Sequence, residues 1–232
     1  MERHFDEELN DLNQNLLNMA ALTEAAIYKS IEALKERDAI LAGEVIEADK
    51  AIDELELTVE EKAVDLLALR QPMAKDLRFI TTAMKVNSEL ERIADLAVDI
   101  CQRAVEIADR PLLKELIDIP RLSEVARTMV KKAIDSFVNR DGRMAKEVIL
   151  SDDEADRLRN KIQKELIEDF LMKDSSFAPR AIPLILVARH LERICDHATY
   201  IAEDVIFMVD AEVVKHHLER LKNGMTQEGY PS

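Results

Sequence analysis

Apolar residues recur every three or four positions along almost the whole chain, and that period predicts long amphipathic helices. From residue 6 to 37 the stripe is Leu9, Leu12, Leu16, Met19, Ala20, Thr23, Ile27, Ser30, Ile31 and Leu34. Glu36-Arg37-Asp38 then reads as a turn, with Asp38 as N-cap of a second helix over about 39–69. The second stripe is Leu41, Val45, Ala48, Ile52, Leu55, Val59, Ala63 and Leu66. Pro72 ends that helix by disfavouring a helical conformation at Gln71. A third helix follows over about 74–108, with Leu77, Ile80, Met84, Asn87, Leu90, Ala94, Ala97 and Cys101 inward. Asp109 to Pro120, carrying Pro111 and Pro120, is the one plausible linker.

Beyond it the pattern starts again. Helices are predicted over about 121–139, 143–172 and 178–209, with turns at Asn139-Arg140-Asp141-Gly142 and Lys173-Asp174-Ser175-Ser176. Pro179 and Pro183 fall in the first turns of the last helix, where proline is best tolerated. The second half repeats the first at matched positions. Ile31 matches Ile134, Arg37-Asp38 matches Arg140-Asp141, and Glu44-Val45-Ile46 matches Glu147-Val148-Ile149, all at an offset of 103. LERIAD at 90–95 matches LERICD at 191–196 at an offset of 101, so the second half is two residues shorter at its last turn. Three long helices with short connections in each half predict an all-α fold of two pseudo-symmetric antiparallel three-helix bundles. The expected boundaries are 1–110, a linker at 111–120, 121–215, and a C-terminal end over 216–232 that is partly disordered, in the tail after Lys222.

Composition sharpens this picture. Only four glycines and six prolines interrupt 232 residues, and aromatics are 4%, so no sheet is expected. A net charge of −15 argues against a nucleic-acid partner and against anionic lipid; it is compatible with metal cations or a basic patch on another protein, and equally with acidity that simply keeps the protein soluble. Cys101 and Cys195 lie in apolar stripes and read as small core residues in a reducing compartment, not as a disulfide. No secretory n-region opens the chain and no apolar run approaches about 18 residues, so a cytoplasmic protein without membrane insertion is expected.

The repeat also duplicates carboxylates. Asp49 and Asp53 match Asp152 and Asp156, and Glu91 and Asp95 match Glu192 and Asp196. Four-residue spacing stacks each pair on one helix face, where like charges repel by roughly 0.2–0.5 kcal/mol. Both pairs sit beside the apolar stripe, so neighbouring helices bring four carboxylates to one groove in each half. An oxygen-only set suits a hard cation: magnesium, manganese, calcium or ferric iron. No histidine accompanies both pairs, and the inward ExxH pairs of a buried di-iron bundle are missing. Asp99 extends the first half's pattern, where Tyr200 stands in the second. A bland account stands beside this one: 47 of 232 residues are acidic, solvated faces are often charged, and duplication copies accidents. In that account Arg92 and Arg193 pair with neighbouring carboxylates. His190, His216 and His217 read as surface residues. No phosphate loop, nucleophile elbow or poised cysteine suggests an enzyme, and exposed flanks are expected not to shift carboxylate pKa values as catalysis requires.

The double LERIxD, the RQPMAKDLR run at 70–78 and the duplicated three-helix plan together resemble the PhoU family, over about residues 8–215. The usual family motif reads ERIGD; Ala94 and Cys195 stand at the glycine and are also small. The resemblance implies a non-enzymatic negative regulator of phosphate uptake and of the phosphate-starvation response. Such a protein links a phosphate ABC transporter to a sensor histidine kinase, and is often a homodimer. It further implies multinuclear metal, iron with manganese, zinc or magnesium as alternatives, at E(D)xxxD motifs. These fall on Asp49, Asp53, Glu91, Asp95, Asp152, Asp156, Glu192 and Asp196. The alternatives are a metal-dependent phosphohydrolase built on the same carboxylates and a metal-free helical scaffold.

Overall fold

A computed structural model describes residues 2–214. The C-terminal end expected to be partly disordered, 216–232, lies outside the described residues, as do His216 and His217. Helices α1 (Glu2–Glu36), α2 (Ala39–Ala48), α3 (Lys50–Arg70) and α4 (Ala74–Ile107) make the first half. Helices α5 (Asp118–Asn139), α6 (Gly142–Glu165) and α7 (Ala178–Asp210) make the second. α2 and α3 are the predicted second helix, interrupted at Asp49, whose torsions stay helical (φ −60°, ψ −32°). No strand occurs among the described residues.

The duplicated turns are built alike. Arg37 and Arg140 both take left-handed backbone, with φ 57° and 51°. Asp38 N–H donates to Ala33 O and Asp141 N–H to Ser136 O, each at 2.9 Å, a Schellman closure made without glycine. Each aspartate then caps the next helix. Asp38 accepts from the amides of Ile40 and Leu41, and Asp141 from those of Arg143 and Met144.

The α1 stripe is buried as its spacing predicts, Leu12, Met19 and Ile27 completely. Each such side chain contributes roughly 1.5–3 kcal/mol. Two predicted core positions fail. Ala48 is exposed just before the interruption at Asp49, and the stripe is carried by Ala42 and Val45 instead. Leu77 is 41% exposed, because the first turn of α4 carries few covering neighbours. The stretch between α4 and α5, 108–117, starts and ends earlier than the expected linker. α5 starts at Asp118, since Pro120 is accommodated in its first turn. Lys161 holds Asp118 at 2.8 Å, and Arg37 donates to the carbonyls of Ala108 and Arg110. The chain after α6 widens into a π turn over Leu166–Leu171, where the sequence predicts plain helix.

The two bundles share one apolar core, which runs from Leu12 and Ile27 through Ile93 and Phe137 to Ile194 and Ile201. α4 and α7, the helices that carry LERIxD, form its most extensive helix pair. Phe79 of α4 stacks on Phe137 of α5, with centroids 5.3 Å apart. Cys195 lies in this core and Cys101 in a small cluster with Ala33, Ala42 and Val45; both are free and buried.

Candidate metal centre

The interior faces of LERIxD pack, and the outer faces carry its charges. Leu90, Ile93 and Ala94 are buried while Glu91 is half-buried and Asp95 exposed; in α7, Leu191, Ile194 and Cys195 are buried while Glu192 and Asp196 are half-buried. α3 lies beside α4 and α6 beside α7. The eight predicted carboxylates therefore gather in two groups of four, one per half. Asp49 and Asp53 face Glu91 and Asp95; Asp152 and Asp156 face Glu192 and Asp196.

Their electrostatics differ from the expectation for solvated flanks. Burial, then repulsion from Asp53 and Asp95, pushes Asp49 up to about 6. Burial, then Asp95, Glu56 and Asp53, pushes Glu91 up to about 7. Asp95 is raised by burial and by Asp53 and Asp99, against a hydrogen bond from Glu91 that lowers it. In the second half, burial followed by Asp196, Asp156 and Glu192 pushes Asp152 up to about 6. The expectation of unshifted carboxylates is thus overturned: covering by the neighbouring helix removes water from one side of each groove, and the other acids add like charge.

The two grooves are not copies. Arg159 Nη2 stands 2.8 Å from Glu192 Oε1 and 3.3 Å from Asp156 Oδ1, tying α6 to α7. At an offset of 103 its counterpart is Glu56, itself raised by burial and by Glu60, Asp53 and Asp95. Arg92 pairs with Glu89 at 3.4 Å, as predicted; the arginine that enters the second groove is Arg159 and not Arg193. Neither Glu56 nor Arg159 is singled out by the paired-carboxylate pattern. Carrying the repeat register one helical turn past Asp53 and Asp156 finds both.

The histidines take other work. His197 is buried between α4 and α7, with Nδ1 2.5 Å from Glu89 Oε2 and its ring edge-on to Tyr200. His190 is not the surface residue expected: its side chain is 15% exposed, its Nδ1 lies 3.6 Å from Asp99 Oδ2, and burial lowers its pKa.

The donor chemistry of the first groove suits a hard cation: carboxylate oxygens alone, from two helices, carrying negative charge that is partly withdrawn from water. Among the described residues no three such side chains converge closely enough to enclose an ion as they stand. Asp53 and Asp95 are exposed and have room to change rotamer.

Comparison with known proteins gives consistent matches. The family described as "PhoU domain" matches twice, over residues 16–104 and 119–205. The Aquifex aeolicus protein named "Phosphate-specific transport system accessory protein PhoU homolog" is 40% identical over 209 residues, 90% of this chain and 94% of its own length. A protein of the same name from Zymomonas mobilis is 38% identical over 88% of this chain and 85% of its own. The crystal structure of PhoU from Pseudomonas aeruginosa superposes with a TM-score of 0.86 at 34% identity, covering 90% of this chain and all of that one. The Streptococcus pneumoniae phosphate transport system regulatory protein PhoU gives 0.84 at 28%, over 90% of this chain and 99% of its own.

Proposed function

The chain belongs to the PhoU family, and on that premise we propose that it is a cytoplasmic, non-enzymatic regulator of phosphate uptake. It holds the phosphate-starvation response off by connecting a phosphate ABC transporter to a sensor histidine kinase, works as a homodimer, and binds metal at its carboxylate grooves. The observation that carries the reading is that both halves match the family while relatives 38–40% identical along most of their length are named as accessory proteins of phosphate-specific transport. No helix among the described residues is long and apolar enough to cross a membrane, so the transporter would be reached through its cytoplasmic parts.

The turn between α3 and α4 is the surface we assign to a partner. Leu69 and Met73 are 74% and 80% exposed and Leu77 is 41% exposed, around the RQPMAKDLR run. Arg70 is held at 2.6 Å by Glu8 and Gln71 takes left-handed backbone, which keep this apolar tip in place. Exposed apolar residues grouped in this way are a usual mark of a protein contact. Bound metal would supply positive charge between the helix flanks, and Asp49, Asp53, Glu91 and Asp95 in the first half and Asp152, Asp156, Glu192 and Asp196 in the second would hold it.

The test is co-purification of the full chain with the phosphate transporter ATPase and with the sensor kinase. Recovery of either, reduced by Leu69→Ser with Met73→Ser, supports the reading; recovery of neither overturns it. Glu91, raised to about 7, is the observation that favours a metal-dependent phosphohydrolase instead. Phosphoester turnover by metal-loaded protein, abolished by Glu91→Ala and Glu192→Ala, would establish that alternative.

A further inference from the structure

The geometry points to a binding site for a small oxyanion of the phosphate class, in the cleft between the first turn of α4, the α5–α6 turn and the end of α7. Lys75, Arg78 and Arg140 are its cationic ligands. The inference does not rest on the metal or partner readings above, and it involves none of the carboxylates of the two grooves.

A cavity of about 240 Å³ lies there, lined by Lys75, Arg78, Phe79, Arg140, Met208 and Val209. That is several times the roughly 30 Å³ that one water occupies. No acidic residue lines it. None of the three cations is ion-paired with a carboxylate among the described residues, although the chain carries 47 acids to 32 lysines and arginines. Other cations that bridge helices are spent on acids: Lys85 on Asp204, Arg159 on Glu192 and Lys161 on Asp118. The acid next to Arg140, Asp141, caps α6, and Asp210 lies against Gly142 at the start of that helix. Like charges left around one cavity repel, and an anion between them relieves the repulsion.

The backbone sets these side chains in place. Arg78 Nε donates to Met208 O at 3.1 Å, which ties the side chain to the end of α7 and leaves its two terminal nitrogens for a ligand. Arg140 takes left-handed backbone, and its guanidinium lies over the Phe79 ring, 5.0 Å from the centroid. Its counterpart at an offset of 103, Arg37, takes the same backbone but spends its fork on the carbonyls of Ala108 and Arg110. Arg140 makes no such bond among the described residues, so the arginine that closes a turn in the first half is available in the second. Ala74, just before Lys75, is also left-handed, with φ 44°, a conformation that costs an alanine about 1–2 kcal/mol. Strain of that kind persists where the surrounding structure holds it, and it gathers at ligand sites. Each arginine fork matches two oxygens of an oxyanion, and the lysine adds a point charge. The four oxygens of a phosphate-type group can serve two forks and an ammonium at once, whereas a carboxylate offers two oxygens.

The experiment is calorimetric titration of the full chain, freed of metal by chelator, with inorganic phosphate and separately with ATP. Wild type should show a single saturable site. Lys75→Gln with Arg140→Asn should weaken it about ten-fold or more, asparagine being chosen because it tolerates left-handed backbone. Arg121→Gln, which removes an exposed cation at the far end of α5, should bind as wild type does. Binding of inorganic phosphate identifies the free ion as the ligand; binding of ATP without inorganic phosphate identifies a phosphate group carried on a nucleotide. Binding of neither probe overturns the proposal, as does a double variant that binds like wild type or an equal loss in Arg121→Gln. Should the double variant not fold, Lys75→Glu, at an exposed position, carries the test and should abolish binding. With metal absent throughout, none of these outcomes bears on the metal reading.

Discussion

Glu91→Gln should stabilise the metal-free protein, although it removes a charge from the most repeated motif in the chain. Glu91 is raised from 4.5 to about 7, first by burial and then by Asp95, Glu56 and Asp53, with Arg92 opposing. Each unit is worth about 1.4 kcal/mol, so the full shift would be roughly 3 kcal/mol. Partial exposure lets water screen part of that, and about 1–2 kcal/mol is the realistic figure. Because the folded-state value lies above the unfolded one, the native state binds more protons between about pH 4.5 and pH 7. Wild-type stability from this group is therefore complete below pH 4.5 and is lost as the pH rises through about 7. Glutamine keeps the volume and a donor toward Asp95 without the charge. The variant should match wild type near pH 4, gain on it up to about pH 7, and hold a constant lead above that. For a chain of this size the lead is a rise of about 2–8 °C in Tm. Urea unfolding in the presence of chelator, from pH 4 to 8, reads it directly. A variant no more stable than wild type at pH 8, or a lead that does not change with pH, would refute the electrostatic account of this groove.

Other outcomes follow from particular contacts. Saturating manganese(II) or ferric iron, at about a hundred times its Kd, should stabilise wild type by about 2.7 kcal/mol and Glu91→Gln by clearly less, read as thermal midpoints. Phe137→Ala empties a fully buried site against Phe79 and should cost about 3–5 kcal/mol in urea unfolding. Asp38→Ala and Asp141→Ala each remove two amide acceptors at a helix start and should cost about 1 kcal/mol apiece. The double variant should sum the two, because the turns belong to separate repeats. Leu69→Ser with Met73→Ser touches exposed side chains only, so stability should stay within about 0.5 kcal/mol while partner recovery falls.

How far the chain could be read before folding depended on what kind of signal each feature leaves. The helices were legible because the 3–4 spacing of Leu12, Leu16, Met19 and Ile27 admits one burial pattern, and the turns because Arg37-Asp38 and Arg140-Asp141 recur with their caps. The interruption at Asp49 and the π turn over Leu166–Leu171 leave no such signature; no glycine or proline marks either one. The fusion of two bundles into one core was hidden for a related reason. Periodicity tells which face of α4 is apolar but not that α7, a hundred residues away, covers part of it.

The site shows the same division. Identity between repeats located the eight carboxylates and their grouping, since a duplicated helix pair must bring duplicated residues together. It could not show their state. Whether a carboxylate four residues from another is solvated or pressed toward pH 7 depends on how closely the next helix covers it. Nor does identity draw attention to a mismatch. Glu56 and Arg159 differ, so a search for what the halves share passes over them, yet each interacts with the carboxylates of its groove. Where the two halves repeat, a shared residue says what the fold requires of both. A charge reversal at one register position says where the halves differ: Arg159 ties α6 to α7 in the second, while Glu56 adds a further acid beside Glu91 in the first.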